Sequence, residues 1–523
     1  MAFRNESTYL RMRIAGREEE FHKHYEESLL RIGKELGKKH PLYIGAEKIY
    51  TENSFEVKSP SDRRIVIGKF SAAGREDVRD AIETAQHSFA KWARTDYRKR
   101  IEIVRRAADI ASSRKYDLAA AMSMENGKNR LEAMADVDEA IDFMRYYSEQ
   151  VALNGGFAVS MGSSGPGESN ESILRPYGVW GVIAPFNFPL AIACGMSTGA
   201  LVMGNTVVLK PSSFTPYMSL LLHDIYKDAG LPPGVLNVVT GGGAVTGREL
   251  VENENVAGIA FTGSREVGLS SMHRFTEGAF KPFIAELGGK NIVVITKRAD
   301  LKKAVEGTAR AAFGYGGQKC SAASRVVVVG DIKDEFLKKL ASFTEGLRVG
   351  NPTLKQTYMG PLISEEAVKK YEEAIGEARE TGKVATGGKV LKEGELSYGN
   401  YVSPAIVSDV PFDSRIFREE LFVPLLCVVE MDTLDDAIEI ANSVDYGLTA
   451  GIFSEDKEEI STFFDNIEAG VCYANKAAGA TTGAMVGGQP FVGWKMSGST
   501  GKGAGGIYYL QQFAREQSRA VFE

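Results

Sequence analysis

From residue 177 onward, short apolar runs alternate with helical segments, and this alternation constrains the fold more than any other feature of the sequence. The runs are GVWGVIAP, NTVVLKP, GVLNVVTG and VAGIAFTG, each ended by proline or glycine, and segments such as YMSLLLHDIYKDAG separate them. Runs that are apolar throughout are typical of strands buried on both faces of a parallel sheet. The sequence therefore predicts a parallel sheet with helices packed on its faces.

A second series of the same kind begins after Glu286. Its apolar runs are KNIVVI, SRVVVVG, AIVSDV, PLLCVVEM, AGIFS and AGVCYAN, and the helical segment DEFLKKLASFTEGL follows the second run. The chain of 523 residues is long enough for more than one such unit. We therefore predict an α/β protein with two tandem domains that meet near residue 287. The first covers residues 1–287, the second covers residues 288–490, and a returning tail covers residues 491–523.

The regions outside these two series predict helices and an arm. The first 150 residues read mainly as helices, because REDVRDAIETAQHSFAKWA and ADVDEAIDFMRYYSEQVA carry apolar residues at helical spacing. A segment rich in glycine and serine, at about residues 152–173, predicts an excursion of extended chain that forms an arm. The arm and the aromatic tail residues Tyr508, Tyr509 and Phe513 resemble surfaces that need a partner, so we expect a homo-oligomer.

Composition disfavours several classes of protein. The net charge is −6, which argues against a large nucleic-acid footprint. The N-terminus has no apolar signal-peptide core, and prolines and glycines interrupt the most apolar stretch, so we expect neither secretion nor a membrane span. Four scattered cysteines do not make a disulfide framework, and His22 and His24 lie in a charged helix, so we expect no metal site. The expected compartment is the cytoplasm.

Cys320 and Glu286 are the first candidates for chemistry. Cys320 lies in the loop FGYGGQKCSAAS, where small neighbours allow a substrate to approach a nucleophilic thiolate. The alternative is a structural cysteine, which fits Cys194, Cys427 and Cys472 within apolar runs. Glu286 ends an apolar strand and precedes two glycines, and a buried carboxylate there needs a role or a partner. Taken alone, Glu286 also fits a strand end that faces water.

Three further segments carry polar groups that point to ligand binding. Asn187 stands between two prolines in APFNFPLAI, where its amide can donate to an oxyanion or form a turn. Lys210 ends a buried strand, and open α/β sheets bind ligands at that edge. The stretch FTGSREVG places Gly263 at a turn into a helix whose backbone amides can meet a phosphate, although this pattern alone is weak.

Together these segments resemble the aldehyde dehydrogenase superfamily, over nearly the whole chain from about residue 60. The motifs, in order, are PFNFP, LKPS, FTGS, ELGGK, GQKCSAASR, REELFVP and QPFVGWKMSG. The resemblance implies a Rossmann-like cofactor domain, a catalytic domain and a small oligomerisation arm. It also implies Cys320 as the nucleophile, Glu286 as the base and Asn187 as the oxyanion donor. Because Glu286 can activate water, the expected product is a free acid rather than a coenzyme A ester.

The same resemblance implies a nicotinamide cofactor. Lys210 would hold the adenosine ribose, and Gly263 and Ser264 would meet the pyrophosphate. Glu420 would hold the nicotinamide ribose, with Phe422 packed beside it. Ser213 stands three residues after Lys210, where a glutamate would bind the ribose 2′-hydroxyl and repel a 2′-phosphate. Serine does neither strongly, so we expect NAD and leave NADP open.

Within the superfamily, GQKCSAASR and TTGAMVGGQPF resemble the 1-pyrroline-5-carboxylate dehydrogenases, which oxidise glutamate semialdehyde to glutamate. A hydroxyl and backbone amides can bind an α-carboxylate, aromatic rings can pack on an aliphatic chain, and a carboxylate can face an ammonium group. The residues that we expect in these roles are Ser321, Gly483, Ala484, Phe188, Phe491 and Glu139. Alternative substrates are succinate semialdehyde and glyceraldehyde, and TTGAMVGG also fits a merely flexible loop.

Two other classes of protein remain as alternatives, and two positions depart from the family pattern. A thiol hydrolase would also use Cys320 but would need a histidine base, and none of the six histidines lies in a comparable glycine-rich segment. A non-catalytic binding protein on the same fold would not require the full set of polar groups. Val423 and Val492 replace glycines that are usual in the family, and we expect both to add bulk near the active site.

Overall fold

The computed structural model describes residues 3–477 and 485–523, and the predicted site residues Gly483 and Ala484 lie outside those described residues. The helices are α1 (Thr8–Ile14), α2 (Glu18–Gly33), α3 (Arg75–Trp92), α4 (Tyr97–Ser113), α5 (Lys115–Asn126), α6 (Arg130–Leu153), α7 (Ala191–Val202), α8 (Pro216–Asp228), α9 (Arg248–Glu252), α10 (Arg265–Thr276), α11 (Leu301–Phe313), α12 (Lys333–Glu345), α13 (Glu365–Thr381), α14 (Arg415–Arg418), α15 (Leu434–Asn442) and α16 (Lys457–Asn466). The strands are β1 (Lys38–His40), β2 (Leu42–Ile44), β3 (Glu47–Ile49), β4 (Ser54–Ser59), β5 (Asp62–Ser71), β6 (Ala158–Met161), β7 (Glu168–Pro176), β8 (Val179–Ile183), β9 (Thr206–Lys210), β10 (Leu236–Val238), β11 (Val256–Thr262), β12 (Phe283–Glu286), β13 (Asn291–Ile295), β14 (Ala323–Val329), β15 (Lys383–Thr386), β16 (Ala405–Ser408), β17 (Leu425–Met431), β18 (Tyr446–Gly447), β19 (Thr449–Phe453), β20 (Val471–Ala474), β21 (Trp494–Lys495) and β22 (Ala514–Phe522).

The first series of apolar runs forms the parallel part of one sheet, as the sequence predicts. The strand order is β12-β11-β8-β9-β10-β2-β3, and the pairs from β12 through to β10 are parallel. Every residue of β9 is buried, because helices cover both faces of the sheet at this strand. The carboxyl ends of β9, β8, β11 and β12 therefore lie along one edge.

The second series forms a second sheet with the order β15-β16-β17-β14-β13-β19-β20. Its pairs from β16 to β20 are parallel, and β15 adds to the edge in the antiparallel sense. The first sheet ends at Glu286 and the second begins at Asn291, so the chain passes from one to the other within a few residues of position 287. The domain bounds 1–287, 288–490 and 491–523 stay a prediction.

The predicted arm is a three-stranded antiparallel sheet with the order β22-β7-β6. The C-terminal strand β22 pairs with β7 from Ala514 opposite Pro176 to Phe522 opposite Glu168. The expectation that the tail aromatics face a partner is wrong for two of the three residues. Tyr509 and Phe513 are buried in their own chain, where Tyr509 stacks on Tyr147 and Phe513 contacts Trp180, and the ring centroids of these two pairs are 5.5 and 4.6 Å apart.

The prediction that the first 150 residues are mainly helical is incomplete, because residues 38–71 form strands β1 to β5. The hairpin of β2 and β3 extends the first sheet beyond β10, and β4 and β5 pair with each other beside β1. Exposed and buried positions do not alternate regularly in β5, which crosses from a half-exposed start to a buried end. The sequence therefore lacks the period of two that would identify these strands.

The helices predicted at residues 75–93 and 135–152 are present as α3 and the greater part of α6. A buried ion pair joins helix α6 to the α5–α6 connection that precedes it, in which Lys128 Nζ lies 2.6 Å from Asp136 Oδ2 and both side chains are fully buried. Asp136 Oδ1 also accepts a hydrogen bond from the backbone amide of Ala191, 2.7 Å away, where α7 begins. The Lys128 ammonium lies 3.5 Å from the centre of the Phe188 ring. The ion pair therefore fixes the segment that leads from β8 into α7.

The described part of the chain contains no helix that is long and apolar enough to cross a membrane. It also contains no group of three or more histidine, cysteine, aspartate or glutamate side chains placed to hold a metal ion, again counting described residues only.

The substitution Lys128→Met should lower the free energy of unfolding by about 3–5 kcal/mol, because it leaves the Asp136 carboxylate buried without its partner. The double variant Lys128→Met/Asp136→Asn should recover much of this loss, since the neutral amide can still accept from Ala191. Urea unfolding followed by circular dichroism would measure both values. A loss below about 1 kcal/mol for Lys128→Met would show that the pair does not hold these elements together.

Candidate active site

The site begins at the edge where the strands of the first sheet end. Lys210 ends β9, Thr262 ends β11 and Glu286 ends β12. The backbone amide of Gly263 donates to the Glu286 carbonyl over 3.3 Å, which joins the last two strands beyond their ladder. Ser264 then caps α10, and its Oγ accepts from the backbone amide of Val267, 3.5 Å away. The exposed N-terminus of α10 therefore lies beside the strand that carries Glu286, where its free amides favour an anion.

Lys210 and Ser213 lie at the next strand end along this edge. Lys210 is buried, and its Nζ donates to the carbonyl of Pro211 over 2.9 Å. Burial lowers the pKa of the Lys210 ammonium to about 8. Ser213 is half-buried, and its hydroxyl donates to the Gly241 carbonyl over 3.0 Å. Gly242 and Gly243 are exposed, and side chains added there would meet open space, so the surface next to Gly241 and Ser213 leaves room for a ligand.

Cys320 reaches the site from the second sheet, in the loop between α11 and β14. The turn Gly314–Gly317 precedes it and includes Tyr315, Gly316 and Gly317 with positive φ angles of 49°, 62° and 69°. A Cβ at Gly317 would lie 2.6 Å from the carbonyl oxygen of Val423, so only glycine fits there. The Tyr315 hydroxyl donates to the Asn126 carbonyl over 2.8 Å and fixes the turn against the α5–α6 connection.

Asn291, which the sequence analysis missed, holds the Cys320 loop in place. Its Nδ2 donates to the carbonyls of Cys320 and Ala322 over 2.7 and 2.9 Å, and its Oδ1 accepts from the Thr449 amide over 2.9 Å. One side chain therefore joins the starts of β13 and β19 to the backbone of the cysteine. The signal in the sequence is an asparagine directly after ELGGK, where the pattern of a buried strand calls for an apolar residue.

A single cavity brings together Cys320, Ser321, Glu286, Phe188 and Phe491, all of which the sequence analysis selected. Glu139, which the analysis placed near a substrate ammonium, also lines this cavity. Its other lining residues were missed, and they include Phe143, Ile192, Met196, Thr262, Ala504 and Tyr509. Phe143 lies four residues after Glu139 on α6, and Ile192 and Met196 lie four and eight residues after Phe188. Helical spacing after an established site residue is thus the signal that finds them.

Burial and neighbouring carboxylates control the protonation of the two main groups. Burial raises the pKa of the Cys320 thiol, and the carboxylates of Glu420 and Glu286 raise it further. Burial also raises the pKa of Glu286 well above the usual carboxyl range, against a backbone hydrogen bond from Gly493. The Glu286 Oε2 atom is buried and has no hydrogen-bond partner among residues 3–477 and 485–523. A neutral thiol and an underbonded carboxyl group therefore share the cavity.

Asn187 lies on the β8–α7 loop and is buried, but it is not among the described residues that line the cavity of Cys320. Its neighbour Phe188 does line that cavity. On its other side, the Phe186 ring meets the Phe422 ring edge-on with centroids 5.8 Å apart, and the Phe186 carbonyl accepts from Asn126. Phe422 has a φ of 61°, which places its backbone in the left-handed region. Both flanks of Asn187 are therefore fixed.

Glu420 lies between the two sheets. Its Oε1 accepts from the backbone amide of Gly289 over 2.8 Å. A Cβ at Gly288 would come within 2.0 Å of the Glu420 Oε2 atom. The absence of a side chain at this glycine therefore leaves the space that the Glu420 carboxylate occupies. Burial raises the pKa of Glu420 to about 7, and the hydrogen bond from Gly289 opposes the rise. Such a carboxylate can accept hydrogen bonds from the hydroxyls of a ligand.

Val423 lies near the site, as the sequence suggested, because it lines a cavity together with Gly289, Glu420 and Phe422, but it does not reach the cavity of Cys320. The Val423 side chain packs in the core beneath the second sheet, with Leu421 and Leu425. The backbone of Val492 lies against Gly470, where a Cβ would come within 2.0 Å of the Val492 carbonyl. Among the described residues that line the Cys320 cavity, neither valine is present.

The chain that carries this site matches one protein family over almost its entire length. The family model "Aldehyde dehydrogenase family" matches residues 48–518, and the chain belongs to that family. Its two tandem α/β sheets and three-stranded arm are the fold that goes with this membership.

One protein sequence and two solved structures are similar to this chain over most of its length. The chain is 40% identical to a 1-pyrroline-5-carboxylate dehydrogenase from Geobacillus sp. (strain WCH70), over 93% of this chain and 94% of that protein. A solved structure of 1-pyrroline-5-carboxylate dehydrogenase from Thermus with bound NAD matches with a TM-score of 0.94 and 36% identity, covering 100% of this chain and 99% of that one. The betaine aldehyde dehydrogenase of Staphylococcus aureus in complex with NAD⁺ matches with a TM-score of 0.88 and 27% identity, covering 94% and 96%.

The substitution Asn291→Ala should loosen the Cys320 loop, because it removes the donor to two carbonyls and leaves the Thr449 amide buried without an acceptor. We expect the free energy of unfolding to fall by about 2 kcal/mol or more. Iodoacetamide should also alkylate Cys320 faster in the variant, as measured by mass spectrometry. Asn255→Ala, which changes an exposed asparagine, is the matched control and should leave both quantities at the wild-type value. Equal behaviour of the two variants would remove Asn291 from this role.

Proposed function

We propose that the chain oxidises L-glutamate γ-semialdehyde, the open-chain form of 1-pyrroline-5-carboxylate, to L-glutamate in proline catabolism, with NAD as the hydride acceptor. The observation that carries the proposal is one cavity in which the Cys320 thiol and the Glu286 carboxyl group meet Phe188, Phe491 and Ser321. The names of the relatives, at 40% identity over most of the chain, support the same substrate.

The cavity offers groups suited to a five-carbon amino acid aldehyde. Phe188 and Phe491 provide aromatic walls for the aliphatic carbons, and Ser321 supplies a hydroxyl beside the nucleophile. Glu139, also on the wall, is suited to the ammonium group. We assign the α-carboxylate to backbone amides at Gly483 and Ala484, both of which lie outside the described residues.

In the first half of the reaction, the Cys320 sulfur attacks the carbonyl carbon of the aldehyde. The pKa of the Cys320 thiol is raised in the cavity, so the attack requires that the thiol first loses its proton. The Asn187 amide and the Cys320 backbone amide are assigned to the oxyanion of the resulting thiohemiacetal. A nicotinamide held by these residues would supply the hydride acceptor, and loss of a hydride from the thiohemiacetal carbon would leave a thioester on Cys320.

In the second half, Glu286 removes a proton from a water molecule that attacks the thioester. Its unpartnered Oε2 is available for that water, and the Gly493 amide steadies the carboxylate. The carbon–sulfur bond breaks, and the thiol and the free acid form. A base of this kind makes water the acyl acceptor, so the product is glutamate rather than a thioester of a carrier.

The residues at the strand edge fit a nicotinamide dinucleotide. The buried Lys210 ammonium and the Ser213 hydroxyl suit the adenosine ribose, and the capped N-terminus of α10 at Gly263 and Ser264 suits the diphosphate. Glu420 would hold the hydroxyls of the nicotinamide ribose, with Phe422 beside it. Ser213 carries no charge that would repel a 2′-phosphate, so NADP is a second acceptor.

We further propose that the protein is a cytoplasmic homo-oligomer of a dimer or higher order. The arm sheet supports this, because its two edge strands β6 and β22 both carry exposed apolar side chains. Val159 and Met161 on β6 are 54% and 55% exposed, and Phe522 on β22 is 73% exposed.

The substrate is tested by comparing kcat/KM for glutamate semialdehyde and succinate semialdehyde, with NAD and with NADP, from absorbance at 340 nm. Glutamate semialdehyde with NAD should be the preferred pair. Ser213→Glu should depress the NADP reaction selectively, because the new carboxylate would repel a 2′-phosphate. A preference for succinate semialdehyde would refute the proposed substrate. Hydrolysis of a p-nitrophenyl ester without any reduction of NAD or NADP would favour a thiol hydrolase.

The substitution Glu286→Gln should separate the two halves of the reaction. One equivalent of reduced cofactor per Cys320 should appear as a burst. The steady-state rate of cofactor reduction should then fall by about 100-fold or more, because the attacking water lacks its base. Because burial raises the pKa of Glu286, the wild-type deacylation rate should rise with pH through that pKa, and the variant should lose this rise. Cys320→Ala is the control and should show no burst. An unchanged steady state in Glu286→Gln would exclude Glu286 as the base.

A further inference from the structure

The N-terminal segment of residues 3–8, to which the sequence analysis gave no role, is bound to helix α6 by two buried carboxylates. Asp138 accepts from the backbone amide and the hydroxyl of Thr8, over 2.6 and 2.7 Å. Asp142 accepts from Asn5 Nδ2 and from the backbone amide of Glu6, both over 2.9 Å. These aspartates lie one helical turn apart, so α6 presents a row of acceptors to the segment.

These hydrogen bonds offset the burial of the two carboxylates, and at Asp138 the charge of Lys115 adds to their effect. Asp138 and Asp142 are 6% and 3% exposed, and burial raises the pKa of Asp142 to about 7 against the hydrogen bonds of Asn5 and Glu6. A buried carboxylate is costly unless donors surround it. The donors here come from the N-terminal segment, so α6 and that segment depend on each other for their arrangement.

The segment also touches the chain next to the Cys320 cavity. The second hydrogen of Asn5 Nδ2 is donated to the Val486 carbonyl over 3.0 Å. The Phe3 ring packs edge-on against Tyr146, with centroids 5.1 Å apart, and lies beside Gly487. Asn5 therefore bridges α6 and the turn at residues 485–489 with one amide group.

That turn leads directly to a wall of the Cys320 cavity. The Gly487 amide donates to the Gly505 carbonyl over 2.9 Å, and Phe491 and Ala504 form a backbone bridge. Phe491 and Ala504 both line the cavity that holds Cys320. The position of the turn at residues 485–489 therefore bears on the position of the Phe491 ring.

A second cavity adjoins the first and has the N-terminal segment as part of its wall. Asn5, Ser7 and Met485 line it, together with Phe188 and Glu139, which also line the Cys320 cavity. Asp138 and Asp142 line the same space from α6. The second cavity therefore shares a wall with the first, and the N-terminal segment helps to enclose it; we call this second cavity the antechamber.

We propose that Asn5 is a positioning residue that sets how well the enzyme binds a charged aldehyde, by tying the turn at residues 485–489 to α6. This inference rests on the proposed function, in that the substrate is taken to be a carboxylated aldehyde. Asn5 contacts neither Cys320 nor Glu286 in the structure, so it acts through the turn, Phe491 and the antechamber. Its effect falls on substrates that extend into that region and spares those that occupy only the neighbourhood of Cys320.

The test is the substitution Asn5→Ala, with Arg4→Ala as the matched control at the exposed neighbouring position. We expect Asn5→Ala to raise the KM for glutamate semialdehyde by about 10-fold, the scale set by losing a hydrogen bond to a charged group, and to leave kcat within about twofold. The kcat/KM for propanal, which is too short to reach the antechamber, and the KM for NAD should stay at wild-type values. Asn5→Ser, which can make one of the two bonds, should give an intermediate KM.

Three results would overturn the inference. One is wild-type kinetics in Asn5→Ala, and another is a parallel loss of kcat for both aldehydes, which would mean a general structural role. The third is an equal effect of Arg4→Ala. Failure of the proposed function looks different, because the wild-type enzyme would then prefer succinate semialdehyde. In that case the same comparison is made with succinate semialdehyde, which also carries a distal carboxylate, and the same three results decide.

Discussion

The parallel pairing of β9, β8, β11 and β12 is the constraint on which the rest of the site depends. Because these strands run in one direction, Lys210, Thr262 and Glu286 end at the same edge of the first sheet. The chain then leaves that sheet at Glu286 and enters the second at Asn291. A slip of one residue in β12 would turn the Glu286 side chain to the opposite face of the sheet and empty the cavity of its carboxyl group.

The short connection between the two sheets, residues 287–290, joins the two halves of the site. Gly288 and Gly289 leave room for the Glu420 carboxylate, and the Gly289 amide binds it. Two residues later, Asn291 holds the carbonyl of Cys320. Cys320 and Glu420, which are far from Glu286 in sequence, are therefore positioned beside it by contacts within six consecutive residues, 286–291.

The sequence was sufficient to predict the parallel strands of both sheets, because each is a short apolar run, and proline or glycine closes those of the first series. It was not sufficient for β1 to β5, whose half-exposed positions carry no regular period. Cys320, Glu286, Phe188 and Phe491 were selected because motif order marks them. Asn291 and Asn5 were missed because their roles consist of hydrogen bonds to backbone groups that only the folded chain brings near. Such partners leave no periodic pattern in a single sequence. A polar residue that interrupts an apolar run, as Asn291 does, is the one visible sign of such a role.

The charges around Cys320 have a consequence for the resting protein. Burial and the carboxylates of Glu420 and Glu286 raise the pKa of the thiol, so the sulfur stays protonated at neutral pH. Thiols in this state react slowly with oxidants and electrophiles, because the thiolate is the reactive form. A positive charge brought into the crevice would oppose the field of the carboxylates and lower that pKa. The carboxylates of Glu286 and Glu420 therefore favour the protonated form of the Cys320 thiol, and a cationic ligand beside it would favour the thiolate.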